Sequence, residues 1–449
     1  MCGTHAMLRG VEHLGASRLK RILLKSLLGL LAFGLAVVLA WVACNGPWAD
    51  AEPRPTPAEL MPRAVTLAPE RNGFFDLVGI TAPAGEDIHA VGLADWQNGF
   101  EHERQRLEWP RLKAPDCEIA DSKCMAEWSQ RAPEMRRWLA ESALMGARCE
   151  QARSMEGIEE VPVPAAFSLD EVVPTPGLMR FAPAAGCTLW WTVQAVLAAS
   201  PTEALDALTR ADEFARKGLA GARSLVGKMV FGASLKRQWL LVARLAAGEA
   251  GEGVAGRARF EPLLRPLPPG SLSLRAWAGS ELQFQRDSIA TIRDIGVRCR
   301  LDDQEESAVR WWAQQFCRSG LGYLPELTEQ TFEAQWLARL ATARADGLVS
   351  CEALSRPPWR DDPSELQPYS WRNSIGQILL VVSNGAFRDY PARQLDLELL
   401  RLTLRAQLLG EPMPQGVLLR REGETLRWAG CQAGMVEGRT QGVLILPVL

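Results

Sequence analysis

From Ser26 to Cys44 the chain reads SLLGLLAFGLAVVLAWVAC without one charged residue. As a helix rising ~1.5 Å per residue, such a run spans roughly 28 Å, about one hydrocarbon thickness, which predicts a single transmembrane helix over 26–44 bathed in the lipid bilayer. Arg9, Arg18, Lys20, Arg21 and Lys25 precede it against one acid, Glu12, whereas Asp50 and Glu52 follow it. The positive-inside rule then makes 1–25 a basic cytoplasmic segment and places everything after the helix outside the cytoplasm. Trp41 and Trp48 stand near the outer boundary, where indoles favour the interface. A cleaved signal peptide is the competing reading, because Ala49-Asp50-Ala51 matches a small-x-small site with a mature N-terminus at Glu52. Signal cores run ~7 to 15 residues and this one is longer, so an uncleaved anchor is expected. Cys44 as a lipoprotein site is disfavoured by Trp41, which occupies a position where such sites carry a small aliphatic residue.

Residues 45–71 are rich in proline, with PRPTPAELMP at their centre. Proline fixes an extended backbone, so this segment reads as a semi-rigid spacer off the membrane. Beyond it lie eight cysteines: Cys117, Cys124, Cys149, Cys187, Cys299, Cys317, Cys351 and Cys431. In an oxidising compartment an even set implies disulfides, and eight cysteines allow 105 pairings. Cys117 and Cys124 enclose the short polar stretch EIADSK and are expected to pair with each other. Cys149 continues the apolar stripe of its helix and reads as a buried thiol.

The rest of the chain is patterned mainly for helices. Asp87 can cap one from Ile88 to about Leu107, and Met135, Trp138, Ser142, Met145, Cys149 and Ala152 mark one face of a long helix beginning at Pro133. Ser200-Pro201-Thr202-Glu203 is a capping box. The run from Ser224 to Ala246 is apolar on nearly all sides and should be the central, most buried helix. Trp277, Phe284, Ser288, Ile292 and Ile295 predict a helix from Leu274 to about Val297. Others are expected over 308–316, 331–345, 375–382 and 386–409, the last bent or delayed by Pro391. Near the end VLLRR, LRWAG and GVLILPVL read as short strands with a turn at Glu422-Gly423. The expected fold is therefore mainly α: an irregular antiparallel helical array over 72–410, outside the cytoplasm, with a small β appendage over 411–449.

RNGFFDLVGITAP followed by DIHAVG, the CEIADSKC pair, SLVGKMV, and NSIGQILLVV leading into YPARQLDLELL together resemble a group of membrane-anchored proteobacterial proteins without a known activity. The resemblance spans most of the exported chain and implies a bacterial inner-membrane, periplasm-facing protein. Its motifs are helix faces and turns, so it implies no catalytic residue.

A net charge of -3 supplies no field to hold a nucleic-acid backbone. With four histidines, two of them before the anchor, a multi-histidine metal site is not expected, and no cofactor motif is present. The motifs GxSxG, HExxH, GxxxxGK[ST] and GxGxxG are all absent. His89 and His102 are the exported imidazoles; His102 falls on a solvated HERQR face, and His89 beside a helix start is a weak catalytic candidate. Glu281 is the acid of most interest. It shares a stripe with Trp277, Phe284 and Ser288, where burial would disfavour its ionised form, and Lys228 or Lys236 on the apolar helix is its expected ion-pair partner. The paired indoles Trp190-Trp191 and Trp311-Trp312 offer a possible stacking surface for a glycan or peptide. The leading functional expectation is an interaction or scaffolding module of the cell envelope with a protein partner; the alternative is an envelope hydrolase built around Glu281.

Overall fold

The structure, a computed structural model, describes residues 5–98, 106–113, 115, 117, 119–162, 181–248, 253–293, 319–359, 373–423, 425–431 and 443–447. It is mainly helical, 64% helix, with 14 helices among the described residues and a three-stranded antiparallel sheet near the C-terminus. The helices are α1 (His5–Asn45), α2 (Gly73–Val78), α3 (Ile88–Gln97), α4 (Ser122–Gln130), α5 (Ala132–Glu141), α6 (Ala143–Ser154), α7 (Phe181–Leu197), α8 (Pro201–Gly221), α9 (Leu225–Ala246), α10 (Gly253–Ala258), α11 (Ala278–Arg293), α12 (Pro325–Ala341), α13 (Cys351–Leu354) and α14 (Ser374–Leu409). The stretch Leu23–Asn45 of α1, mean hydropathy 2.6, is long and apolar enough to cross a membrane, and no part of its apolar window is buried against the body.

Side-chain caps set where the helices begin. Asn72 accepts from Phe74 N, Asp87 from His89 N, Asp121 from Lys123 N, Ser200 from Glu203 N and Ser224 from Gly227 N. Each satisfies a backbone donor that the helix leaves orphaned and contributes about 1 kcal/mol. In the box at Ser200 the returning Glu203 carboxylate takes Ala199 N, one residue before the cap. Several helices stop earlier than their stripes suggest. α3 ends at Gln97, and Leu107 instead donates its N–H to Thr81 O. The long helix expected from Pro133 is two helices, α5 and α6, meeting at Ser142, whose hydroxyl bonds back to Trp138 O. Conversely Pro391 does not divide α14, which runs continuously from Ser374 to Leu409.

α7, α8 and α9 pack side by side around Trp191, Phe214, Phe231, Leu235 and Trp239, all 0–1% exposed. α9 shares the centre of the body with the second half of α14, where Leu395, Leu397, Leu400 and Leu404 are buried. Trp190 is half-buried with its ring over Gly146, where a Cβ would collide with the indole. Trp190 thus packs against α6 and Trp191 is fully buried, so the two indoles do not present a shared open face; Trp311-Trp312 lies outside the described residues.

β1 (Leu418–Glu422), β2 (Thr425–Ala429) and β3 (Val443–Pro447) form a meander in the order β1-β2-β3. Trp428, Leu444 and Leu446 point inward, 0–2% exposed, and Trp428 donates to Thr403 Oγ1. The sheet is therefore part of the main core rather than an appendage to it.

The largest departure concerns 45–71. Asp50 accepts from Glu326 N and Leu327 N at the start of α12, Gln330 donates to Glu52 O, Arg286 reaches Thr56, and Leu60 is fully buried. Gly279 has no side chain because the carbonyls of Leu60 and Met61 lie where its Cβ would be. Instead of a free spacer, this segment is a strap bound along α11 and α12. Proline suits it because an extended strap lends its carbonyls and side chains to the body without needing its own amide partners.

Candidate functional site

A cluster of buried and half-buried polar groups surrounds the N-terminal end of α9. Glu160 Oε2 accepts from Arg223 N at 2.7 Å and Ser224 N at 2.8 Å, Glu281 Oε1 accepts from Leu225 N at 2.5 Å, and Ser224 Oγ accepts from Gly227 N at 3.1 Å. Two carboxylates from separate parts of the chain thus converge on one helix start, where the dipole and free N–H groups favour negative charge. Beside them Arg223 pairs with Glu159 and also reaches Arg63 O and Ala64 O. Glu159 in turn accepts from Thr66 N and Leu67 N, at 2.8 and 2.7 Å, so this cluster fastens the far end of the strap.

Glu281 is 8% exposed, but its face differs from the expected one. Leu282, Gln285 and Ile289 are buried with it, whereas Phe284 is 54% exposed. Nor does it pair with either lysine. Lys228, fully buried, donates its ammonium to Leu219 O at 2.6 Å and Ser271 O at 2.9 Å; Lys236 is half-buried two turns along α9. A buried carboxylate needs donors, and a helix start has more orphaned backbone N–H groups than the Ser224 cap alone can satisfy, so it serves without desolvating a second charge.

Burial pushes Glu281 up to about 7, opposed by the Leu225 N–H and reinforced by the Glu160 charge. Burial also pushes Lys228 down to about 7; Glu160 opposes that fall, while Arg63 and Arg223 add to it. Glu159 goes the other way. Burial would raise it, but the Leu67 and Thr66 amides and Arg223 together hold it below the usual carboxylate range.

His89 stands elsewhere, on α3. Its Nδ1 lies 2.8 Å from Oδ2 of Asp76, a fully buried acid on α2, and its ring meets Phe75 edge-on. Burial raises Asp76 although the imidazole opposes it. An acid-oriented imidazole is one part of a nucleophile–base–acid array, but Nε2 is buried and meets no hydrogen-bond partner among the described residues, so no nucleophile is positioned. His102 lies outside the described residues.

A groove of about 740 Å³ lies between the strap at Thr66-Leu67, α8 and the Arg265–Pro269 loop. Glu281 and His89 do not line it, and its buried charges are engaged: Glu159 with Arg223, Arg216 with Asp212, and Lys217 with the carbonyls of Arg153 and Met155. Among the described residues no three His, Cys, Asp or Glu side chains gather to hold a metal ion.

Cys117, ahead of α4, is joined to Cys124 on its first turn, S–S 2.04 Å. Cys149 is joined to Cys187, S–S 2.05 Å, tying α6 to α7, so it is a cross-link and not the buried thiol its stripe suggests. Cys351 and Cys431 also pair, their Cα atoms 5.4 Å apart. Cys299 and Cys317 lie outside the described residues.

Sequence reasoning missed Glu159, Glu160, Arg223 and Asp76, which occupy no periodic stripe. It also missed the buried pair Asp212–Arg216, whose i,i+4 spacing beside Leu208, Ala215 and Leu219 was a readable signal. No protein-family model matches the chain, and neither does any curated protein or solved structure compared with it.

Proposed function

We propose that the chain is a single-pass bacterial inner-membrane protein, N-terminus in the cytoplasm, whose helical body faces the periplasm as an interaction or scaffolding module. The observation that carries this reading is the junction at Asn45. This residue ends the apolar helix yet is fully buried; Gly322 N donates to its carbonyl, Asn373 N donates to its Oδ1, and its own amide group donates to Trp41 O. Body and helix are thereby held as one piece. Cleavage after Ala51 would remove both Asn45 and Asp50, leaving Asn373 and the start of α12 without these partners, which favours a retained anchor. The basic residues ahead of Ser26 favour an inward N-terminus, and the disulfides suit an oxidising compartment. A hydrolase built on Glu281 would need an accessible acid, and this carboxylate is buried against a helix start.

A C-terminal reporter is expected to be active only outside the cytoplasm, on a mature chain that still contains residues 26–44. A reporter active only in the cytoplasm refutes the orientation, and a mature N-terminus at Glu52 refutes retention. Cross-linking in intact membranes followed by gentle solubilisation should recover a defined protein partner. Recovery of none, together with a hydrolytic activity lost in Glu281→Gln, would overturn the module reading.

A further inference from the structure

The outer edge of the small sheet is β1. β1 and β2 close at Glu422 opposite Thr425, with a two-residue connection. In such a hairpin the closing pair exchanges both hydrogen bonds, and bonded and non-bonded pairs then alternate along the ladder. Arg420–Arg427 and Leu418–Ala429 are therefore bonded pairs, and the N–H and C=O groups of Leu419 and Arg421 point away from β2. Among the described residues no strand takes them, since β1 is the terminal strand of the order β1-β2-β3.

Alternation also divides the side chains. Leu419 lies opposite Trp428 on the core side, which turns Leu418, Arg420 and Glu422 to the solvent side. Leu418 is 76% exposed, more than any other large apolar residue among the described residues. Arg420 stands directly opposite Arg427, a like-charge pair that destabilises a ladder, and the nearest relief is Glu422, 3.8 Å from Arg427. This edge thus combines outward backbone groups, an exposed leucine and positive charge that Glu422 offsets only in part.

We propose that β1 is a docking edge for an extended acidic peptide segment of a partner protein, which adds to the sheet as a fourth strand. The proposal rests on the interaction-module reading and names the partner's chemistry. Backbone pairing supplies the attachment, and the solvent-side residues set the sequence: an acid opposite Arg420 and an apolar residue two positions away, opposite Leu418. A second copy of the chain fits poorly, because β1 paired with itself in the centred antiparallel register sets Arg420 against Arg420. The arginines exclude like edges while admitting an acidic one.

The test uses full-length protein in neutral-lipid nanodiscs and two short synthetic peptides of alternating apolar and charged residues, one with glutamate and one with lysine. The glutamate peptide should bind, slow hydrogen exchange at the Leu419 and Arg421 amides, and bind more weakly as salt is raised; the lysine peptide should not. Arg420→Glu, an exposed change that leaves the core untouched, should weaken the glutamate peptide by about tenfold and admit the lysine peptide. Unchanged exchange at β1, or equal binding by wild type and Arg420→Glu, overturns the proposal. So does Arg420-dependent binding to anionic phosphatidylglycerol vesicles without peptide binding, which would assign the edge to a lipid surface. If wild type and Arg420→Glu cross-link the same membrane partner equally, the docking edge fails while the module reading stands.

Discussion

α8 and α9 are packed neighbours, and each buries charge, but by different means. On α8 Asp212 and Arg216, each 4% exposed, meet directly at 2.6 Å, and the guanidinium extends to Leu263 O and Pro266 O. At the start of α9 Glu281 and Lys228 are also buried, yet each is satisfied by the backbone, the acid by an N–H and the ammonium by two carbonyls. Direct pairing does not cancel the cost of burial. Burial still raises Asp212 and lowers Arg216 despite their mutual attraction. Desolvation dominates at both places, and what differs is which group is left stranded when one member is removed.

Removing Arg216 should have the largest effect. Arg216→Met leaves Asp212 buried with Arg265, 3.9 Å away and 55% exposed, and takes a donor from Pro266 O and from Leu263 O, the latter keeping Trp239 Nε1. A loss of about 3 to 5 kcal/mol is expected in chemical denaturation of the detergent-solubilised protein, with much of it regained in the Asp212→Leu, Arg216→Met double variant. A loss under about 1 kcal/mol would erase the contrast with α9.

Glu281 should instead announce itself through pH. Its folded value, about 7, lies above the ordinary 4.5, so the folded state holds the proton more tightly and wild type loses stability as pH rises from about 4.5 through 7. Glu281→Gln keeps an acceptor for Leu225 N but cannot ionise. Relative to wild type it should gain about 2 to 3 kcal/mol between pH 5 and pH 8. Parallel stability–pH curves would show that the carboxylate is solvated.

Lys228 should give the opposite slope. Its folded value, about 7, lies below the ordinary 10.5, so the folded state holds the proton less tightly and wild type gains stability from pH 7 towards 10.5. Relative to Lys228→Met, wild type should gain about 2 kcal/mol between pH 7 and pH 9. If Glu281 and Lys228 were an ion pair, Glu281→Gln would depress the lysine further and move its slope to lower pH; two independent slopes are expected.

What the chain's local pattern settles, it settles through groups close in sequence. The Ser26–Cys44 run, the caps at Asp87, Ser200 and Ser224, and the strands around Glu422-Gly423 all express spacing that one segment carries by itself. The join of Cys117 to Cys124 spans only seven positions and belongs with them. The candidate site is of the other kind. That Glu281 is buried follows from a helix stripe, but that Leu225 N receives it, that Glu160 sits alongside, and that Glu159 fastens the strap depend on segments 56 to 93 positions apart. Proline-rich composition predicts an extended 45–71 and is silent on whether a groove waits to bind it; Leu60, Asp50 and the bare backbone of Gly279 decide that together. Cys149 makes the same point, since its stripe predicts burial and only the approach of α7 turns it into a cross-link. Sequence pattern determines which groups must leave water, because that depends on each segment's own periodicity. Tertiary packing alone decides which partner meets each of them, because many donors would serve and the fold brings only a few within reach.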